Sequence, residues 1–553
     1  MRGTIAILPM DDRPVNYDYP GYLGRAAGYD IQVPPREWLG NPWRASEHIR
    51  LIEWLAQAAR SADALILAID TLAYGGLIPS RTSSDPFEQV LKSVSIVKDI
   101  KTSRPGLPIL ASSVIMRISR HNSSEEEKAY WAIYGSRIFR LSVLEHRIAL
   151  GEADQAEKNE AEGLRTQIPE DVYRDYRAGR QRNHAINLEM LTWLEQGLFD
   201  YLIFPQDDTA DYGWNIAEAR ALQARIRALG LVERAITYPG ADEIGCLLLA
   251  SYICRQAGFQ PRVWPRYSSI HSPEVITSYE DRPIHELLKA HLAPLGGVVS
   301  DSPVNADLVL FLNAPAFKQG EGIYQWLAWI GPENLREALP VPAQAFLEEA
   351  LTDPIYQNTR NEMESPQRSP EELVRALLIE LSSGRPVALA DVLCANGSDL
   401  ILGDQLVRHP EIAALSGYGG WNTAGNTLGS VLAQAVLHVL TLRLGSPRQQ
   451  TQAHLEFLFL RFLEDYYYQA RERTLAFLED LPSLGLSPTN EHFEDARQAA
   501  EVERCVRVRL QRAAAELTQV FIRSGMARQV QVENIHLPWQ RLFEVGFDVK
   551  IDL

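Results

Sequence analysis

Along the first 420 residues, short apolar runs alternate with longer stretches whose apolar positions recur at helical spacing. The runs predict strands over 4–9, 64–69, 108–116, 201–205, 235–238, 262–265, 308–312, 386–390 and 412–415. The stretches 49–59, 216–229, 244–256 and 428–444 predict helices between them. Most runs are continuously apolar, as strands covered by helices on both faces must be. The pattern therefore predicts an α/β protein with mainly parallel sheets. It changes at about residue 446, where two long amphipathic stretches, 452–481 and 493–524, follow without a strand between them. A short strand-like tail at 547–551 completes an expected mainly helical C-terminal module. Ser446-Pro447 and the polar stretch 353–370 are the best linker candidates.

The α/β part echoes itself. Asp12-Arg13-Pro14-Val15 is matched by Asp281-Arg282-Pro283-Ile284, and the run after Ala62-Asp63 by the run after Ala306-Asp307. Arg104-Pro105 and Arg385-Pro386 each precede a later strand, and Gly213-Trp214-Asn215 returns as Gly420-Trp421-Asn422. Four echoes in the same order predict an internal duplication. The expected domains are a first α/β lobe over 1–258, a second over 259–445 and the C-terminal module over 446–553. The alternative is a single (β/α)8-like barrel made from two half-barrels. The run at 235–238, unmatched between the repeats, favours two open sheets.

The length of 553 residues suits about three domains. With 46% hydrophobic and 23% charged residues the composition is globular. Lys+Arg 54 against Asp+Glu 71 gives a net charge of -17 with no long basic run, so nucleic acid is not an expected partner. The apolar N-terminal run meets Asp11-Asp12-Arg13 too soon for a signal peptide. No stretch approaches the ~18 uninterrupted apolar residues of a membrane span. The four cysteines form no CxxC pair, so neither a disulfide framework nor a thiolate zinc site is expected. A cytoplasmic protein is the expectation.

Ligands of parallel α/β folds bind past the carboxyl ends of the strands, so the polar residues there are the informative ones. After the first run come Asp11, Asp12, Arg13 and Asn16. After the second come Asp70 and a Gly75-Gly76 turn leading to Ser80 and Arg81, and after the third Arg117 and Arg120. The fourth is followed by Asp207, Asp208, Thr209 and Tyr212, the fifth by Asp242 and Glu243. The second half offers Asn313, Asp391, Asn396, Asp399, Tyr418, Asn422 and Asn426. Helix capping accounts well for single residues such as Asp391, Asp399 and Asn422. It accounts poorly for the pairs Asp207–Asp208 and Asp242–Glu243, since only one acid can cap and adjacent charges repel. Such pairs suit a site that wants one carboxylate ionised and one protonated. His184, taken as opening a helix, is a further site candidate. No HExxH is present, no GxGxxG follows the first strand, and neither a Walker A pattern nor a GxSxG elbow occurs.

Several long strings are more specific. They are Leu8-Pro9-Met10-Asp11-Asp12-Arg13-Pro14-Val15-Asn16, Pro34-Pro35-Arg36-Glu37-Trp38-Leu39-Gly40, Arg182-Asn183-His184, Gly240-Ala241-Asp242-Glu243, Tyr279-Glu280-Asp281-Arg282-Pro283 and Gly420-Trp421-Asn422-Thr423-Ala424-Gly425-Asn426-Thr427. In these the sequence resembles, over nearly its whole length, a bacterial family known as domain of unknown function 4127. The resemblance carries no reaction with it, but it implies that the strings belong to one shared site.

The expected function is a carbohydrate-active, glycosidase-like hydrolase, with amino sugars among its candidate substrates. Paired strand-end carboxylates supply its acid and its base or nucleophile. Asp207, Asp208, Asp242 and Glu243 are the expected catalytic residues. Asp11, Asp12, Arg13, Asn16, Asp70, Arg117, His184, Asn396, Trp421, Asn422 and Asn426 are the expected substrate ligands, in a cleft between the lobes and with no cofactor. Trp38, Trp43, Trp214 and Trp421 are candidates to stack on a sugar face. One alternative is a sugar isomerase or phosphate-ester hydrolase assisted by Mg or Mn held on Asp11, Asp12, Asp70, Asp207 and Asp242. Another is a non-catalytic small-molecule binding protein.

Overall fold

Six strands carry the first half of the chain: β1 (Thr4–Leu8), β2 (Asp30–Gln32), β3 (Ala64–Ala68), β4 (Ile109–Ser112), β5 (Tyr201–Gln206) and β6 (Ala235–Pro239). In the computed structural model, which describes residues 2–339 and 341–553, they form one parallel sheet in the order β2-β1-β3-β4-β5-β6. β3, β4 and β5 are buried along their whole length, which is why their sequences show no polar alternation. One face packs on the helices His48–Ser61, Phe87–Val94, Ile96–Ser103, Glu170–Glu195 and Trp214–Ala228 through a continuous apolar cluster. A satellite core around Trp131, Tyr176 and Trp214 supports the three helices inserted between β4 and β5.

The second half adds β7 (Arg262–Tyr267), β8 (Val298–Val299), β9 (Leu308–Asn313), β10 (Gly320–Glu321), β11 (Val387–Asp391), β12 (Cys394–Ala395) and β13 (Gly417–Gly419). Five of these form a second parallel sheet in the order β13-β11-β9-β7-β8, while β10 and β12 make a short parallel pair of their own. Among the described residues neither sheet closes, so the protein is α/β with open, mainly parallel sheets and not a barrel. In each large sheet the second strand lies outside the first, and the third and later strands follow on its other side. The 412–415 run, predicted as a strand, lies in a 3-10 helix, Pro410–Ala414, and the strand is the glycine-rich β13 after it. Gly417 lies against the helix Ala424–Arg443, where an added Cβ would sit 3.0 Å from the Val431 carbonyl oxygen. Close approach thus replaced the apolar signature there.

By internal contacts the chain forms two compact units. The first comprises the residues up to Tyr17, Tyr29–Leu248 and Tyr279–Asp281, and the second comprises Asp18–Gly28, Leu249–Ser278 and Arg282–Leu553. Residues beyond 446 belong to the second unit. They hold the helix Arg448–Arg461, a π-helix over Phe462–Glu472, the helix Ala496–Arg523 and an antiparallel hairpin of β14 (Gln529–His536) and β15 (Gly546–Asp552). The stretch 353–370 is not extended linker: it contains the helix Pro354–Met363, capped by the Asp353 carboxylate on the Ile355 N–H at 2.8 Å. The helix Ala424–Arg443 is long and apolar enough to cross a membrane, but 89% of its apolar window is buried inside the chain, as in a core helix.

Candidate active site

The parallel register brings the carboxyl ends of the first sheet into step. Leu8 lies opposite Leu67, Leu67 opposite Ala111, Ser112 opposite Ile203 and Gln206 opposite Pro239. The residues just past β1, β3, β4, β5 and β6 therefore leave from one edge.

Past β1 the chain turns into the short helix Pro14–Tyr17, and Asp11 folds back on that turn. Its carboxylate accepts the Arg13 backbone N–H at 3.0 Å, the Asn16 amide at 3.0 Å and the Arg13 guanidinium at 2.6 and 3.0 Å. The same guanidinium donates to Asp242, past β6, at 2.6 and 3.3 Å. All three side chains of this Asp–Arg–Asp bridge are more than nine-tenths buried. Burial pushes the Asp242 carboxyl up to about 7; the charges of Asp207 and Asp11 add to the rise and Arg13 opposes it. Asp12 is half-buried, with its carbonyl oxygen taken by Arg36 at 2.6 Å, and Glu243 is fully buried beside the Asp242 turn.

Past β5 sits a second arginine–carboxylate cluster. Asp207 pairs with Arg81, and Asp208 with Arg117 at 3.2 Å. Both arginines share Glu126, each at 3.0 Å, and Arg117 also holds Glu127 at 3.0 Å. Adjacent residues of an extended strand point opposite ways. Here the chain turns at Asp208, whose φ of 48° is left-handed, and both acids reach one pair of guanidiniums. Neither acid caps the following helix, whose N-cap is Gly213. Burial holds the Asp208 carboxyl above the ordinary carboxylate range, and the neighbouring Asp207 charge raises it further. Four carboxylates on two arginines leave the cluster negative, so a proton held by Asp208 relieves repulsion.

Glu126 and Glu127 were not predicted, because they follow a loop and not a strand. Arg81 stood out only as the end of the Gly75-Gly76 turn. That turn has φ values of 93° and 137° and starts the helix Leu77–Thr82, which carries Arg81. Arg182, Asn183 and Asn187 hold the surrounding backbone. Arg182 and Asn183 donate to the Ser80 carbonyl at 3.2 and 2.9 Å, and Asn187 donates to the Val114 carbonyl at 3.2 Å. His184 does not open a helix: it lies in the middle of Glu170–Glu195, where burial lowers its pKa and the Glu218 charge opposes that shift.

Asp70 is buried one residue into the helix Ile69–Tyr74 and accepts the Val114 N–H at 2.9 Å. Burial raises its carboxyl to about 7. A raised folded-state value stabilises fully below the unfolded value near 4, and that contribution is lost as pH climbs to 7. Each tenfold change in proton affinity is worth about 1.4 kcal/mol. Asp70→Asn keeps an acceptor for Val114 without the buried charge. Its melting temperature is expected to exceed that of the unsubstituted chain at pH 8 and to approach it at pH 5. A variant less stable at pH 8 than at pH 5, relative to the unsubstituted chain, would refute the burial cost.

The candidates of the second half lie in the second unit. Asn396 (φ 57°) donates to Glu321 at 2.9 Å, and its backbone N–H binds the carbonyl of Asn422 (φ 64°) at 3.0 Å. Asn422 is not the cap of the following helix; Thr423 is, accepting the Asn426 N–H at 3.3 Å. Asp399 does cap its helix, on the Ile401 N–H at 2.9 Å, while Asp391 binds Asn313 and the Asp399 backbone. Trp421 and Trp214 are 3% and 5% exposed, too buried to present a ring face to a sugar. Among the described residues no three of His, Cys, Asp and Glu converge with metal-binding geometry; Asp11, Asp207, Asp208 and Asp242 pair with arginines.

The profile of a family described as protein of unknown function (DUF4127) matches residues 5–548. The chain belongs to that family. No curated protein and no solved structure matches it. The DUF4127 match spans both units, so the strings at Leu8–Asn16, Arg182–His184, Gly240–Glu243 and Gly420–Thr427 all lie within it. Of these, Leu8–Asn16 and Gly240–Glu243 meet directly, through Arg13 and Asp242. Arg182–His184 acts from behind, on the backbone next to Arg81.

Proposed function

We propose that this chain is a carbohydrate-active hydrolase that works by carboxylate acid–base chemistry at the carboxyl edge of its first sheet. The observation that carries this is the adjacent acid pair at that edge: the left-handed turn at Asp208 brings Asp207 and Asp208 onto the guanidiniums of Arg81 and Arg117. Burial raises the carboxyl of Asp208 above the ordinary range and that of Asp242 to about 7, although each also pairs with an arginine. A carboxyl raised in this way can act as proton donor beside a second carboxylate that acts as base or nucleophile. Asp208 is the proposed acid, at the half-open end of its cluster, and Asp207 beside it is the proposed base or nucleophile. Arg117 and Arg81 fix both carboxylates, and the Arg13–Asp242 bridge sets the field they work in. A cytoplasmic setting and a small sugar-like substrate belong to the same proposal.

Assay of the purified chain on a panel of aryl glycosides, 2-acetamido sugars included, tests it. Release of the aryl alcohol from at least one member, lost in Asp208→Asn, is the expected result. Saturable binding of sugars without release of any aryl group would make the chain a binding protein instead.

We also infer that the two sheets arose by duplication. The shared strand order supports this, as does the placement of the echoes. Arg13 follows β1 and Arg282 follows β7, while Trp214 opens the helix after β5 and Trp421 lies just before the helix after β13. Superposition of β1, β3, β4 and β5 on β7, β9, β11 and β13 should bring Trp214 and Trp421 to equivalent junctions; their failure to coincide would leave only a common strand order.

A further inference from the structure

The second unit holds a group of polar side chains that the proposed reaction does not use. Glu321 lies on β10, whose parallel pairing sets it opposite Ala395, next to Asn396. Gly322 follows it because nothing larger fits: a Cβ there would lie 2.3 Å from the Asn396 carbonyl oxygen. Asn396 donates to Glu321 at 2.9 Å and binds the Asn422 carbonyl through its backbone, which places Trp421 alongside. The Trp421 ring meets Phe543 edge-on at 6.4 Å, and the Arg473 guanidinium stacks on that same phenyl ring at 5.2 Å. The Arg473 charge in turn acts on Glu321, closing the ring of contacts.

Glu321, Asn396 and Phe543 are half-buried, while Trp421 and Arg473 are 3% and 4% exposed. Two buried donors are unused. The Trp421 indole N–H and the Arg473 Nε–H are buried with no hydrogen-bond partner, although the other Arg473 nitrogens reach Gln469 and Glu491, each at 3.2 Å. A buried donor left unpaired costs about 1–3 kcal/mol, so two around one ring call for an explanation. The surrounding backbone is unusual too. Asn396 and Asn422 both hold left-handed φ values, and Gln469 and Arg473 come from the π-helix and the turn that follows it. Strained residues and π-helical turns are both enriched at functional sites.

We propose that this ring is a binding site for a small hydroxylated carboxylate, of the kind that a sugar acid represents. The two unused N–H groups both donate, and a carboxylate, which only accepts, satisfies both. Asn396 and Glu321 can each donate or accept, as hydroxyl recognition requires, because burial raises Glu321 to about 7 and leaves much of it protonated at neutral pH. Phe543 supplies an apolar edge for the ligand's carbon face. The site stands independently of the hydrolysis proposed for the first unit.

Isothermal titration calorimetry of the full chain with D-glucuronate tests this, with D-glucose and acetate as probes of the hydroxyl and carboxylate halves alone. Glucuronate is expected to bind more tightly than either. Trp421→Phe and Arg473→Lys, which remove or displace one unused donor each, are expected to weaken it about tenfold, the worth of one charge-assisted hydrogen bond. Asp208→Asn is expected to bind glucuronate like the unsubstituted chain, so a failure of the hydrolase proposal leaves this measurement intact. No heat of binding with glucuronate, equal binding of glucose, or unchanged affinity in Trp421→Phe would each overturn the site. Because Trp421→Phe leaves the Arg473–Glu491 ion pair in place, it decides the matter if Arg473→Lys does not fold.

Discussion

Asp208→Asn is expected to lower kcat by about 10²–10⁴-fold on any glycoside that the chain cleaves, the usual worth of one acid–base group. Asn keeps the size of the side chain and its ability to accept from Arg117, but it cannot give a proton to a leaving oxygen. The fold should survive, since burial already disfavours the charged form of Asp208 and Asn tolerates the left-handed φ of 48° at this position. Matching circular dichroism spectra and melting temperatures would confirm that. Asp207→Asn is expected to lose as much by a different route, because it removes the proposed base or nucleophile while Arg81 keeps Glu126 at 3.0 Å and Glu127 at 3.9 Å. The two can be told apart with aryl leaving groups of low pKa, which need no acid. Such substrates should rescue Asp208→Asn and leave Asp207→Asn inactive. If both variants turn over at the unsubstituted rate, the pair is a structural turn and not a catalytic one.

The largest expected loss of stability is at Arg13. Its guanidinium is the close cation between Asp11 and Asp242, and its side chain is 5% exposed, against 3% and 9% for its partners. Arg13→Met keeps much of the volume but strands two carboxylates in the interior. Breaking a buried pair from one side costs about 3–5 kcal/mol. Chemical denaturation should therefore show Arg13→Met less stable by that order at pH 8. The deficit should shrink at pH 5, where Asp242, already raised to about 7, takes up its proton. Adding Asp242→Asn should recover part of the loss, because it removes one of the stranded charges. A loss below about 1 kcal/mol at pH 8 would mean that the bridge is solvated and contributes little.

Both effects trace to residues that the strand-end rule had picked out, yet the rule did not say how they would pair. Asp11, Arg13 and Asp242 were three candidates from two distant strings, and the structure joins them in one bridge. Neighbours in an extended chain point opposite ways, and it is the turn at Asp208 that brings Asp207 and Asp208 onto one cluster. Glu126, Glu127, Glu321 and Arg473 went unnoticed because nothing in their local sequence marks them. The two glutamates follow a loop, Glu321 sits on a two-residue strand, and Arg473 follows a π-helix. Each owes its place to contacts with residues far along the chain. His184 shows the reverse case, since a polar string suggested a helix start and the residue lies mid-helix.

What the sequence determined by itself is the class of the fold and the sheet edge where the polar strand-end residues gather. Short continuous apolar runs suit strands buried on both faces, as most of them here are, and parallel strands with helical connections place their following residues on one side. Local periodicity carries that information because it follows from the 2.0 and 3.6 repeats of the backbone. What only the tertiary structure decided is which charges meet. An ion pair such as Arg13–Asp242 spans 229 positions, and no periodicity encodes it. The same holds for proton affinities: Asp70, Asp242 and Glu321 differ from solvent-exposed acids through burial, and burial is a property of the packed chain alone.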